Sequence, residues 1–153
     1  MRFAALARSL SRTLVAMSAV GPRMLQAQRW AVIGDVLNSR KPASTVVECL
    51  RAAGKSVTLI NPRDKGVSSS PDAALLHTSL ADVGDPIDVV NLIVNPKDGL
   101  KQVEAMAGRG VKQLWVQPGA SSPEIVEAAA GMGVEVHHGC VLIEGPPFWS
   151  SKL

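Results

Sequence analysis

Five short apolar runs predict strands over Arg29–Gly34, Val57–Ile60, Ile87–Val94, Lys112–Gln117 and Val134–His138. Between them, apolar positions recur at helical spacing. Pro42 begins one such stretch, which carries Val46, Val47, Leu50 and Ala53 on one face and closes at Gly54. A second runs over Gly99–Ala107, and a third starts at Pro123 with Ser122 as its N-cap and continues through Ala130. Continuous apolar strands suit a parallel sheet covered on both faces. Strands alternating with helices of about ten residues imply right-handed crossovers. The predicted fold is α/β and Rossmann-like: one domain with a doubly wound, mostly parallel sheet of about five strands.

The segment between the second and third strands is less regular. Ser68-Ser69-Ser70-Pro71 predicts a loop, Leu75–Thr78 a short edge strand, and Leu80–Val83 a helical turn.

At 153 residues there is room for one domain with a real core. Charge is unevenly spread. Residues 1–30 hold five arginines and no acid, so the other 11 basic residues face all 13 acids and the body carries about −2. A nucleic-acid-binding domain would carry its own cationic face, which argues against that class. No run reaches the ~20 apolar residues of a membrane-spanning helix. Cys49 and Cys140 match no zinc spacing and read as reduced thiols, Cys49 in the core.

Both ends read as addresses, so residues 1–27 are expected to be a leader, 28–145 the domain and 146–153 a flexible tail. Phe3, Leu6, Leu10, Leu14 and Met17 form a helical stripe opposite Arg8 and Arg12, the pattern of a mitochondrial transit peptide. A start at Met17 or Met24 would delete it. Ser151-Lys152-Leu153 is the tripeptide read by the peroxisomal import receptor. Gly145-Pro146-Pro147 is expected to stop regular structure and free that tail, with Trp149 in it. A peroxisome-type organelle, including the glycosome, is the favoured destination, with the mitochondrial matrix as the alternative.

The chemistry concentrates at the strand ends. In doubly wound sheets a ligand lies outside the carboxyl ends of the strands, where the strand order reverses. Gly34 would let the backbone pass close to a pyrophosphate. Amides near Ala43 and Ser44 would face the anion, and Arg40 and Lys41 would neutralise charge. Asn61 and Arg63 follow the second strand, where nicotinamide enzymes place an acid. A guanidinium there matches a ribose phosphate, as in the 3′-phosphate of coenzyme A or the 2′-phosphate of NADP. Asn95 and Pro96 could line the arm of such a cofactor. Gln117 reads as structural and Trp115 as sheet packing. His137 and His138 alternate faces, so they do not grip one metal together.

These motifs together resemble the small, stand-alone CoA-binding proteins, the YccU-like group. That group is similar to the CoA-binding domain of the succinyl-CoA synthetase α subunit. The resemblance covers about residues 29–145. It rests on VIGD-x-x-N-x-x-KP-x-S, G-x-x-V-x-x-INP, DPIDVVNLIV, KQLWVQPG and the closing C-x-x-IE. It implies coenzyme A or an acyl-CoA as ligand; the lack of a convincing nucleophile–base pair argues against catalysis, and the terminal addresses point to a role in organellar acyl metabolism. The first turn, usually Gly-Ala-Ser in that group, is here Gly34-Asp35-Val36, which brings a carboxylate near phosphate and removes a hydroxyl. Two alternatives stand beside it: a scaffold or regulatory protein that has lost its ligand, and an NADP-binding oxidoreductase. Against the second, the chain has no GxGxxG and no second domain.

Overall fold

A computed structural model describes residues 19–151 apart from Val67. The transit-peptide stripe, Lys152 and Leu153 lie outside the described residues. The elements run α1 (Val20–Gln26), β1 (Arg29–Gly34), α2 (Pro42–Ala52), β2 (Ser56–Ile60), β3 (Val89–Ile93), α3 (Pro96–Arg109), β4 (Gln113–Val116), α4 (Pro123–Gly131), β5 (Glu135–His138) and α5 (Val141–Ser150). All strand pairs are parallel, and the sheet order is β2-β1-β3-β4-β5. The chain therefore starts in the interior of the sheet, steps outward to β2, then crosses back to β3. The reversal lies between β1 and β3, which puts the ligand crevice at the carboxyl ends of those strands.

Alternation along the strands builds two cores. Ala31, Ile33, Val90, Leu92 and Leu114 face α3 and α4, where Val103, Met106, Ile125 and Ala129 meet them. Trp30, Val32, Leu59, Val89 and Trp115 face α1, α2 and α5. Helix starts follow local chemistry. Asn95 caps α3 by accepting the Asp98 N–H at 3.0 Å, and Ser122 caps α4 by accepting that of Ile125 at 3.2 Å. Asn91, fully buried in the middle of β3, has no hydrogen-bond partner on either side-chain polar atom.

Four expectations are corrected. Leu75–Thr78 forms no strand: Pro71–Leu75 is a 3-10 turn capped by Ser70, and only His77 bridges, to Ile60. Gly145-Pro146-Pro147 does not stop the chain, because α5 runs through both prolines. The helix gives up two backbone bonds there and recovers contact through Trp149, whose ring packs against Gly145. Trp149 is thus not tail but core lining, and its indole N–H donates to the Leu25 carbonyl at 2.9 Å. Finally, the folded body reaches N-terminal to residue 28, since α1 buries Met24 and Leu25 in the second core. Among the described residues, no helix is long and apolar enough to cross a membrane.

Candidate functional site

At the carboxyl edge, β1 ends in Gly34, which fits the crevice by having no side chain. An added Cβ would overlap the Ile93 carbonyl oxygen and sit 2.9 Å from the Ile93 Cγ2 and 3.0 Å from the Ala43 Cβ. The glycine thus lets α2 and β3 close around the end of β1. Val36 turns inward, 4 % exposed in the second core, so its side chain offers nothing to the crevice.

Asp35 stays at the surface of the cleft and joins two loops. The Asn38 side-chain amide donates to one of its carboxylate oxygens at 3.2 Å, and the Asn61 amide donates to the other at 3.4 Å. The carbonyls of the same two asparagines fold their own loops, accepting the backbone N–H of Arg40 at 3.1 Å and of Arg63 at 3.0 Å. The resulting cleft, about 330 Å³, is lined by Asp35, Asn38, Asn61, Arg63, Lys65 and Ser68 among others. Asp35 and Arg63 therefore share one mouth.

The neighbouring N-terminus of α2 has no acid in its first turn and no side-chain cap on Lys41. Exposed Arg40 and Lys41 flank it. The Ser44 N–H is taken up by the Lys41 carbonyl at 3.1 Å and is not directed at the cleft. Asn95 and Pro96 start α3. Both ends of the Asn95 amide are spent on Asp98, the N–H₂ donating to its carboxylate at 2.7 Å.

Arg63 is exposed, with 68 % of its side chain open, and its Nε–H meets the Asp98 carboxylate, which is only 18 % exposed. The Asn95 amide, then Arg63 and Lys101, hold the Asp98 carboxyl below the usual aspartate range, with partial burial opposing them.

The far end of the edge is built differently. Gln117 is structural, as its sequence context suggests: its carbonyl accepts the Trp115 indole N–H and the Val141 N–H, both at 2.9 Å. His137 lies against Trp115 at 4.3 Å between ring centroids and hydrogen-bonds Glu144 at 2.8 Å. His138 instead reaches the Ser121 hydroxyl at 3.1 Å, so the adjacent rings do part. The Ser121–His138 contact has no signal in sequence, because 16 residues separate the partners and only the β4–β5 pairing unites them. Cys140 has the helix N-terminus that its sequence context hides, as N-cap of α5. Burial, and then the neighbouring Cys140, push the Cys49 thiol up. Cys49 lines an apolar hollow of about 400 Å³ between α2 and α5, larger than the cleft but without its charged groups.

The sequence profile of a family described as CoA binding domain matches residues 28–146. A conserved hypothetical protein from Pyrococcus furiosus is 28% identical, with a TM-score of 0.66 over 77% of this chain and 99% of that one. A structure from Thermus thermophilus reaches 0.69 at 21% identity, over 90% of this chain and 97% of that one. A dinucleotide-forming acetyl-coenzyme A synthetase from Ca. Korarchaeum cryptofilum, in its apo form, aligns at 0.55 and 21% identity. That alignment covers 74% of this chain and 26% of the synthetase. No curated protein matches the chain.

Proposed function

The chain belongs to the CoA-binding domain family, and from that premise we propose that it binds coenzyme A or an acyl-CoA, as a carrier or sensor in acyl metabolism without chemistry of its own. The observation that carries this reading is the cleft that Asp35, Asn61 and Arg63 share beyond the carboxyl ends of β1 and β2, next to the switch point of the sheet. Arg63 replaces the acid that a nicotinamide site would use for ribose hydroxyls, and its guanidinium suits the ribose 3′-phosphate. The open start of α2, with Arg40 and Lys41, suits the pyrophosphate. Asn95 and Pro96 are committed to capping α3, so their part is to shape the crevice beside β3.

A second reading has its own observation. Asp35 presents a carboxylate near the position expected for pyrophosphate, as a scaffold that had lost its ligand would tolerate. Calorimetric titration with CoA and NADP separates the readings, supported by mass spectrometry of the purified protein for retained nucleotide. A ligand at 100 times its dissociation constant adds about 2.7 kcal/mol of stability. Saturable binding of CoA with matching thermal stabilisation is expected. No heat and no stabilisation at millimolar CoA would favour the scaffold, and a preference for NADP would contradict both.

A further inference from the structure

Arg63 follows β2, while Asp98 sits in the first turn of α3, just after β3. In the sheet those strands are not neighbours, because β1 lies between them. With strands about 4.8 Å apart, the two loops stand roughly 10 Å from each other. The Arg63–Asp98 pair therefore passes over the end of β1, across the turn that begins at Gly34 and Asp35. Its two ends differ. Asp98 is fixed, anchored by Asn95 and mostly buried, whereas Arg63 hangs on a largely exposed side chain.

The contact itself is one-sided. Only the Nε–H of Arg63 meets the carboxylate. Exposed ion pairs contribute little net stability, and a phosphate dianion can engage a guanidinium through two parallel N–H bonds. We propose that Arg63–Asp98 is a displaceable clasp over the crevice, in which the Asp98 carboxylate stands in for a ligand phosphate until one arrives. Asp98 is then a specificity-determining residue. A ligand carrying a phosphate for Arg63 opens the clasp, and one lacking it leaves Arg63 on Asp98.

This inference rests on the CoA reading above, and the experiment keeps the two apart. CoA and dephospho-CoA are titrated into the wild-type protein, Asp98→Asn, Arg63→Ala and the double variant, with melting curves to establish folding. Asp98→Asn retains an oxygen for the Asn95 amide. It is expected to bind CoA about two- to fivefold more tightly, the equivalent of one exposed ion pair, with dephospho-CoA unchanged. In the Arg63→Ala background the same substitution should add nothing. If CoA binds but Asp98→Asn leaves its affinity unchanged, the clasp is wrong and the ligand assignment stands. Weakening to the level of Arg63→Ala also overturns the clasp, since Asp98 would then be holding Arg63 in position for the ligand. If neither wild type nor Asp98→Asn binds CoA, the ligand assignment fails and the clasp with it.

Discussion

Gly34 and Ile93 approach so closely that the space a Cβ would need at Gly34 is filled by the Ile93 carbonyl oxygen. The obstacle is backbone, paired in register within the sheet, and it has no rotamer through which to yield. Gly34→Ala is expected to destabilise the fold by about 1–3 kcal/mol through overpacking. That corresponds to a melting temperature roughly 3–10 °C lower, and the variant should lose ligand even where it remains folded. Melting and titration of the same sample check both.

Asn91 carries the opposite expectation. It is fully buried at the centre of the sheet with both polar atoms unpartnered. Its desolvation is uncompensated, so Asn91→Leu, close in shape, should stabilise by about 1–3 kcal/mol. A lower melting temperature in that variant would mean that the amide has a partner or a task in the folded protein.

Trp149 ties α5 to α1 through the Leu25 carbonyl and lies under Lys55, whose amine is 5.9 Å from the ring centroid. Trp149→Ala should cost about 1–3 kcal/mol, less than a fully buried tryptophan because the residue is only partly buried. Trp149→Phe should recover most of the packing but not the hydrogen bond. Denaturant melts of the pair check it.

Acid should unlatch the base of the sheet. Asp88 accepts the backbone N–H of Arg29 at 3.0 Å, its Nε–H at 3.1 Å and its Nη2–H at 2.7 Å. The Arg29 side chain, foremost, holds the Asp88 carboxyl below its ordinary range. A folded-state value below the unfolded one contributes stability that is complete above about pH 4. That contribution is lost as pH falls through the folded value. Asp88→Asn should therefore be less stable than wild type at neutral pH and converge with it in acid. A constant difference across the range would contradict this.

Which features were legible in the sequence follows from the range of the forces involved. β1, α2 and β2 were readable because Pro42, Gly54 and the apolar periods are local signals, and Ser122 announced its own helix. α5 was hidden because a Pro-Pro pair reads locally as a stop. What keeps it helical is tertiary: Val141 and Trp149 packing on a core assembled from distant strands. α1 was hidden by charge, since an arginine-rich, acid-free segment reads as a leader until Met24 and Leu25 are seen buried and Arg23 is seen paired with Glu135 at 2.6 Å. At the site, Gly34, Asp35, Asn61 and Arg63 were placed by their strand ends. Asp98 was missed because its role depends on β1 lying between β2 and β3, a fact of topology that no spacing along the chain reveals.

Asp35 gives the most direct electrostatic prediction. A carboxylate close to a bound pyrophosphate at the protein surface opposes binding by roughly 1–2 kcal/mol. Asp35→Asn should thus tighten CoA roughly tenfold in low salt, with the gain shrinking as salt is raised. Weaker binding would mean that Asp35 accepts a hydrogen bond from the ligand.

The ratio of CoA to dephospho-CoA affinity, measured by calorimetry on the wild-type protein and on Arg63→Ala, bears most directly on the account. One charge-assisted contact to the 3′-phosphate predicts a preference for CoA of about tenfold that disappears in the variant. Equal affinity of the wild-type protein for the two ligands, or a preference that survives the loss of Arg63, would contradict it.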